Sequence, residues 1–365
     1  MPLVQVSTFW RRVMAGVLEE RAAIEREIAG RTVCGQLKEA AESNPDAPAY
    51  SDPVEGGWST LTYSQARQRV LEIAAGFAAL GLEPGEAVAL MMVNRSEHVL
   101  ADLGAVHAGA VSCSVYSTFA PEQVAFVAGD VAARIAVLGG PADLARWEPV
   151  LDELPGLRKV IVLEGAPAGD RFISWDDFLA LGRETLAADP AAVDARWQAV
   201  TADDVLTVLY TSGTTGNPKG VPLTHANVFF EVVATNRMAE LPSNGTQISY
   251  LTYAHIAERV LSLYLPLFKF SPHPLLHRPR PARRHPRPGQ AGAVLRGAAR
   301  VGEDDGPPAG AAGHPAGGAA GGRAPGDGRR ARLRRGQPVR THPLARDPRR
   351  LRAGRRRAAV DHHGR

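Results

Sequence analysis

Short, mostly apolar runs alternate with helical patterns along the first three quarters of the chain. A strand that is apolar at almost every position must be covered on both faces, as in a parallel sheet with helices on each side. Between the runs, apolar residues recur at spacings of three and four, as in residues 64–80, where Ser64 is the expected N-cap. This alternation predicts an α/β fold built on doubly wound sheets with flanking helices. The runs are Ala87–Met92, Val111–Val115, Ile135–Leu138, Val160–Leu163 and Val205–Tyr210.

A segment rich in glycine and hydroxyl residues, Tyr210–Gly220, begins at the end of the last run. Glycines let successive backbone N–H groups turn toward one anion, hydroxyl groups add donors, and lysine adds a positive charge. A glycine-rich loop after a buried strand is a common phosphate site in α/β proteins. The order Gly-Asn-Pro-Lys-Gly over residues 216–220 is not the Walker arrangement, in which Ser or Thr directly follows Gly-Lys. The candidate phosphate-binding residues are Thr211, Ser212, Gly213, Thr214, Thr215, Gly216 and Lys219.

The same segment resembles the phosphate-binding signature of the adenylate-forming (AMP-binding) superfamily, which includes acyl-CoA synthetases, luciferases and the adenylation domains of peptide synthetases. Residues 249–259, Ser-Tyr-Leu-Thr-Tyr-Ala-His-Ile-Ala-Glu-Arg, resemble the next motif as it occurs in long-chain fatty acyl-CoA ligases. The chain departs from that motif at Thr252-Tyr253, where a Pro-Leu pair is usual. The resemblance covers about residues 31–270. It implies an incomplete N-terminal domain of the adenylate-forming fold.

The resemblance also implies a reaction in two steps. A fatty acid carboxylate attacks the α-phosphate of ATP to give an acyl-adenylate and pyrophosphate, and the thiol of coenzyme A then displaces AMP. By similarity, the segment from Thr211 to Gly216 holds the phosphates of ATP, and Thr211 also touches Mg²⁺. Lys219 and His255 are the implied catalytic residues, with His255 beside the acyl-adenylate. Glu258 and Arg259 are expected to form an ion pair at the surface, outside the site.

The composition changes abruptly after Phe270. Residues 1–271 carry 20 lysines and arginines against 32 acidic residues, whereas residues 272–365 carry 22 arginines against 6 acidic residues. The second part contains no Phe, Tyr, Trp, Ile or Lys and consists mostly of Arg, Pro, Gly and Ala. Such a segment cannot bury enough apolar surface to offset the entropy of ordering it. We therefore predict an amphipathic helix over residues 1–30, the incomplete AMP-binding domain over 31–270, and a disordered tail over 271–365.

The tail has two possible origins. A natural basic arm would bind nucleic acid or an acidic membrane surface, but it would use no lysine and would begin inside an apparent domain. We favour a shifted reading frame as the origin of the tail. Under this interpretation we expect no specific nucleic acid partner. Codons for Val294–Gly306, read one nucleotide later, permit Phe-Phe-Gly-Val-Pro-Arg-Val-Trp-Glu-Lys-Met-Thr. That string resembles a segment that follows the His255 motif in long-chain acyl-CoA ligases.

The N-terminal segment and the cysteines bear on localisation. Apolar residues between Phe9 and Leu18 alternate with charged ones, which indicates an amphipathic helix rather than a signal peptide. We expect this helix to cover its own domain, and peripheral contact with a membrane is the alternative. Cys34 and Cys113 match no metal spacing and are expected to be reduced thiols of a cytoplasmic protein.

The predicted inherited function is ATP-dependent activation of a long-chain fatty acid to acyl-CoA. The elements that the family uses for adenine, ribose and adenylation have no counterpart in residues 271–365. We therefore expect this chain to be inactive, and poorly stable because its first domain is interrupted within a sheet. Two alternatives stay open: adenylation of an aryl or amino acid, and a non-catalytic nucleotide-binding module with a nucleic-acid-binding tail. The sequence defines neither the length of the acid nor the oligomeric state.

Overall fold

The computed structural model describes residues 16–211, 217–239 and 247–269, together with a strand at residues 275–277. Strands in this part of the chain form one sheet of seven strands and one of four, with helices packed around them. The predicted α/β class with doubly wound sheets is confirmed for these residues. The tail beyond residue 277 and the first 15 residues lie outside them.

The larger sheet has the strand order β7-β6-β5-β3-β4-β8-β9. Its strands are parallel from β7 to β8, and β9 pairs antiparallel with β8 at one edge. The chain passes from β3 to β4 on one side and then to β5 on the other, so the winding reverses between β3 and β5. The strands are β3 (Ala87–Met91), β4 (Val111–Ser114), β5 (Ala133–Leu138), β6 (Lys159–Val162), β7 (Phe172–Ser174), β8 (Val205–Thr211) and β9 (Lys219–Thr224).

Both faces of the larger sheet are covered, as the apolar runs predicted. Every residue of β3 is buried. Val88 and Leu90 pack in one apolar cluster, whereas Ala89 and Met91 pack in a second cluster, because successive side chains of a strand point to opposite faces. The helices are α1 (its described part, residues 16–27), α2 (Val33–Ser43), α3 (Tyr63–Ala79), α4 (Ser96–His107), α5 (Pro121–Asp130), α6 (Pro141–Trp147), α7 (Trp175–Ala188), α8 (Pro190–Gln198), α9 (His225–Ala239), α10 (Ile256–Glu258) and α11 (Leu265–Lys269).

The N-cap of helix α3 lies two residues before the predicted one. Thr62 is the N-cap, because its Oγ1 accepts a hydrogen bond from the backbone N–H of Gln65 at 3.3 Å. The Gln65 side chain in turn accepts from the backbone N–H of Thr62 at 2.9 Å, which completes a capping box. The prediction of Ser64 as the cap is therefore wrong, since the glutamine three residues after Thr62 decides the position.

The smaller sheet has the order β10-β11-β1-β2. Strands β1 (Pro48–Val54) and β2 (Gly57–Thr62) form an antiparallel hairpin, and β11 (Leu275–His277) lies parallel between β1 and β10 (Gln247–Ser249). Strand β11 lies beyond residue 270, where the sequence places the end of the AMP-binding part. The segment just after that position therefore still contributes backbone to a sheet. The three domain boundaries remain predictions.

Helix α1 contacts the domain through its C-terminal end. Ile24 and Ile28 are buried in the larger apolar cluster, and Arg237 of α9 forms an ion pair with Glu27 at 2.6 Å. Val17 and Leu18, predicted on the apolar face, are more than half exposed. No helix among the described residues is long and apolar enough to cross a bilayer.

Both cysteines are free thiols inside the protein. Burial raises the pKa of Cys34 and of Cys113 to about 12, so neither thiol ionises near neutral pH. Since the thiolate is the reactive form, both side chains act as small apolar core residues.

Two buried histidines make the stability depend on pH. Burial is the main cause that lowers the pKa of His107 to about 3 and that of His225 to about 4. His225 Nδ1 accepts a hydrogen bond from the backbone N–H of Val33 at 3.1 Å, so it is neutral in the folded chain. An unfolded histidine has a pKa of about 6.5, so below that pH the unfolded chain binds more protons than the folded one.

We expect the free energy of unfolding to fall as the pH decreases from about 6.5 toward 4, with a slope of up to about 1.4 kcal/mol per pH unit for each histidine. Urea unfolding at pH 7, 6 and 5 measures this slope. A His225→Gln variant keeps an acceptor for Val33 and should lose part of the slope. A slope equal to that of the parent chain would contradict the assignment for His225.

Candidate functional site

The β8–β9 hairpin closes the predicted phosphate loop. Strand β8 ends at Thr211 and β9 begins at Lys219, and these two residues are directly opposite each other in the antiparallel register. Opposite residues of an antiparallel pair project to the same side of a sheet. The Thr211 hydroxyl and the Lys219 ammonium group therefore flank the loop together, and both residues are exposed. Ser212, Gly213, Thr214, Thr215 and Gly216 lie outside the described residues.

The hairpin is held by contacts that the sequence did not suggest. Tyr210, the last buried residue of β8, donates its hydroxyl hydrogen to Asp130 Oδ2 at 2.7 Å. Burial, and then this bond, raise the pKa of Tyr210 far above its usual value, so the phenol stays a neutral donor. A Cβ atom at Gly220 would lie 3.0–3.2 Å from the Tyr210 side chain, so a larger residue would have to displace Tyr210 by a few tenths of an ångström. The glycine that ends the sequence motif thus serves the hairpin.

The carboxyl end of β8, which precedes the predicted phosphate loop, lies at the edge of the sheet where ligands bind in this class of fold. Strand β8 is a parallel neighbour of β4. Ligands of doubly wound sheets bind outside the carboxyl ends of the strands. Thr207 Oγ1 donates to the Ser112 carbonyl at 2.8 Å, which fixes β8 against β4 below the loop.

His255 is the N-cap of helix α10. Its Nδ1 accepts a hydrogen bond from the backbone N–H of Ala257 at 3.2 Å, and the backbone N–H of His255 donates to the Thr252 carbonyl at 2.9 Å. Because Nδ1 is an acceptor in the neutral ring, the proton is assigned to Nε2. The side chain of His255 is exposed. A ring held in this way suits a carboxylate or phosphoryl oxygen as its partner.

The segment that carries His255 is tied to the carboxyl end of β3. Asn94 follows that strand, and its side-chain amide donates to Ser249 Oγ at 2.6 Å and to the Leu251 carbonyl. Strands β3 and β8 are separated by β4 alone, so their ends lie about 10 Å apart. The structure thus brings Thr211 and Lys219 together and places the segment of His255 about two strand spacings along the same edge.

Glu258 and Arg259 do not form a surface ion pair, and that prediction is wrong. Both residues are buried, with Arg259 at 0% exposure. Arg259 pairs instead with Asp102 of α4, with 2.6 Å between Nη2 and Oδ2. Glu258 Oε2 accepts from the backbone N–H of Leu251 at 3.1 Å. In the sequence, two adjacent charges after a helix cap indicate a solvated pair. The structure gives Arg259 a partner 157 residues away and Glu258 a partner seven residues away.

Among the described residues, no cluster of three or more His, Cys, Asp or Glu side chains could hold a metal ion. Mg²⁺ in nucleotide sites takes few protein ligands, because it keeps several waters and binds the phosphates of the substrate. An exposed hydroxyl such as that of Thr211 fits this limited role. A site of this kind needs no acidic cage.

The fold and the hairpin define an adenylate-forming protein. A profile of the AMP-binding enzyme family matches residues 37–281, and the chain belongs to that family. It is 28% identical over 240 residues to a long-chain-fatty-acid–CoA ligase of Xenopus laevis, covering 64% of this chain and 32% of that protein. It is 32% identical over 218 residues to the peroxisomal long chain acyl-CoA synthetase 7 of Arabidopsis thaliana, covering 57% and 30%. The chain thus spans about a third of the length of these relatives.

A solved structure shares the fold. The Mycobacterium tuberculosis fatty acyl CoA synthetase superposes with a TM-score of 0.56 at 22% sequence identity, over 68% of this chain and 45% of that one. The predicted membership of the adenylate-forming superfamily is confirmed. The relatives are fatty acid–CoA ligases, as the motif around His255 predicted.

Proposed function

We propose that this chain carries the ATP-phosphate half of a long-chain fatty acid–CoA ligase. In the complete enzyme, the fatty acid carboxylate attacks the α-phosphate of ATP, pyrophosphate leaves, and the thiol of coenzyme A then displaces AMP. No covalent bond to the protein forms in either step. The protein holds two anions together and neutralises the charge that develops on the phosphates. The kinship with fatty acid–CoA ligases supports this choice of acid over an aryl or amino acid.

The observation that carries the proposal is the register of the β8–β9 hairpin. Thr211 and Lys219 are opposite each other, so a hydroxyl and a cation converge on the loop of Ser212–Gly216 from its two ends. Lys219 then neutralises the outer phosphates, while the loop supplies N–H and hydroxyl donors. Mg²⁺, when bound, shares the negative charge of the phosphates, and Thr211 supplies one oxygen toward it. His255 uses Nε2–H to orient the carboxylate that reacts.

Removal of the Lys219 charge should weaken ATP binding. We expect Lys219→Ala to lower the affinity of the 365-residue chain for Mg-ATP by roughly ten- to a hundredfold, because a hydrogen bond to a charged group contributes about 1.5–3 kcal/mol. Isothermal titration calorimetry measures the change. Lys38→Ala is the matched control, since Lys38 is an exposed lysine paired with Glu42 on α2. Equal affinities for the Lys219→Ala and Lys38→Ala variants would contradict the role of Lys219.

We further propose that residues 271–365 are an out-of-frame reading of the same gene. The composition of residues 272–365 and the hidden Phe-Gly-Val-Pro-Arg-Val-Trp string support this. The adenine and ribose elements of the family would then be encoded in the other frame. The 365-residue chain is accordingly expected to bind the phosphates of ATP but to form no acyl-CoA.

A further inference from the structure

The helix after His255 changes its winding at Arg259. Residues Arg259–Tyr264 form a π-helix between α10 and α11, and the backbone N–H of Leu265 bonds to the Val260 carbonyl five residues earlier. Pro266 follows, and it can neither donate to the carbonyl four residues before it nor fit its ring there. The wider turn brings positions i and i+5 together, so Arg259 Nη2 reaches the Tyr264 hydroxyl at 2.8 Å. Segments of π-helix are rare and frequently occur at functional sites.

The Arg259 guanidinium is enclosed between α4 and β4. Nη2 donates to Asp102 Oδ2 at 2.6 Å and to Ser112 Oγ at 2.9 Å, while Nη1 donates to Ser114 Oγ at 2.9 Å. Burial is the largest single effect and lowers the pKa of Arg259, but Asp102 and Tyr264 together raise it by more, so the side chain stays charged. With the Tyr264 hydroxyl, Nη1 and Nη2 reach four oxygens, which the fork of an arginine allows and the single ammonium group of lysine does not.

The same bonds reach the strand that carries the phosphate loop. Ser112 is the β4 residue in register with Thr207 of β8. Its Oγ donates to the Leu206 carbonyl at 3.4 Å, and its carbonyl accepts from Thr207 Oγ1. A continuous series of hydrogen bonds therefore connects the helix of His255, through Arg259 and Ser112, to β8, which ends at Thr211.

We propose that Arg259 is a positioning residue that holds the His255 turn, residues 250–258, at a fixed place relative to the phosphate loop. This inference rests on the proposed function, because Lys219 and His255 need a fixed distance between them only if both act on the same substrates. Arg259 touches neither ATP nor the fatty acid. It acts through the helix that His255 caps and through the strand that leads to the loop.

Hydrogen exchange on the full chain tests the proposal, with the Arg259→Lys variant as the probe. We expect the backbone amides of Leu251, His255 and Ala257 to exchange about tenfold faster than in the parent chain, while those of β3 and β5 are unchanged. Mg-ATP should slow exchange at Lys219 and in the His255 turn of the parent chain. In the variant it should slow exchange at Lys219 only.

The control is Arg95→Lys, because Arg95 is held by Glu97 and Glu164 near the same sheet edge without contacting the turn. If Arg259→Lys does not fold, the same exchange is measured on the double variant Ser112→Ala with Ser114→Ala. This variant keeps the ion pair between Arg259 and Asp102 and removes the hydrogen bonds from Arg259 to β4. Parent-like exchange in the turn, or a uniform increase in all elements, would overturn the proposal. Lack of any effect of Mg-ATP on the parent chain would instead refute the proposed function, and the ligand-free exchange would still decide the role of Arg259.

Discussion

Replacing Arg259 with methionine should lower the free energy of unfolding by about 3–5 kcal/mol. The variant leaves the Asp102 carboxylate at 0% exposure without its cation, and it removes the donor to Ser112 and Ser114. An uncompensated charge in the interior costs far more than the lost hydrogen bonds, because water cannot replace the missing partner. Urea unfolding, followed by far-UV circular dichroism, measures the difference.

Two controls separate this effect from a general loss of arginine. Arg21→Met breaks an exposed pair with Glu25, one helical turn away, and should cost only about 0.3–0.5 kcal/mol. The double variant Asp102→Leu with Arg259→Met removes both charges and should recover most of the lost stability, because apolar pairs of similar volume often replace buried ion pairs at little cost. A loss below about 1 kcal/mol in Arg259→Met would contradict the buried-pair account.

The second large effect is expected at Gly182. Helix α7 crosses α3 so closely at this residue that an added Cβ would lie 2.1 Å from the Glu72 carbonyl oxygen and 2.9 Å from its carbonyl carbon. Backbone atoms of a helix cannot move aside as a side chain can. We therefore expect Gly182→Ala to cost about 3 kcal/mol or more, despite the better helix propensity of alanine. Thermal unfolding, followed by circular dichroism, measures the loss.

Gly129→Ala is the matched control for this substitution. Gly129 also lies in a helix, α5, but a Cβ there would meet only Leu154 Cδ2 at an ordinary 3.8 Å. That variant should be as stable as the parent chain or slightly more stable, by up to about 1 kcal/mol. If both glycine variants unfold at the parent temperature, α7 does not pack on α3 as described.

The part of the fold that the sequence predicts well is the larger sheet. Runs such as Ala87–Met92 are apolar at every position, which is the pattern of a strand that is covered on both faces. The place of the phosphate loop follows from the same logic, since it succeeds the run that ends at Tyr210. The register that sets Thr211 opposite Lys219 is a property of the hairpin and could not be read from composition.

The buried polar contacts are the part that could not be predicted. Arg259 pairs with Asp102 across 157 residues, and Tyr210 bonds to Asp130 across 80. No local pattern links such partners, because the residues meet only when the sheet and its helices are assembled. Charged residues are almost never fully buried unless they are paired. Because the sequence around Arg259 does not show its distant partner, it favours a position at the surface, and this prediction proved wrong.

The helix that follows His255 illustrates the same limit at shorter range. Its apolar spacing predicts a continuous α-helix, yet the residues Arg259–Tyr264 wind as a π-helix before Pro266. The proline in the sequence signals an irregularity but does not say which form it takes. The π-helix brings Tyr264 to Arg259, and the other bonds of Arg259 are tertiary contacts with α4 and β4 that the local sequence does not show.

Acyl-CoA formation by the frame-restored protein tests the central claim most directly. The gene would be read one nucleotide later from a point between the codons of Leu267 and His277, and the purified product would be supplied with ATP, Mg²⁺, coenzyme A and a long-chain fatty acid. The account predicts acyl-CoA and AMP from this product, none from its Lys219→Ala variant, and none from the 365-residue chain. Acyl-CoA made by the 365-residue chain itself, or a soluble frame-restored protein that makes none, would contradict it.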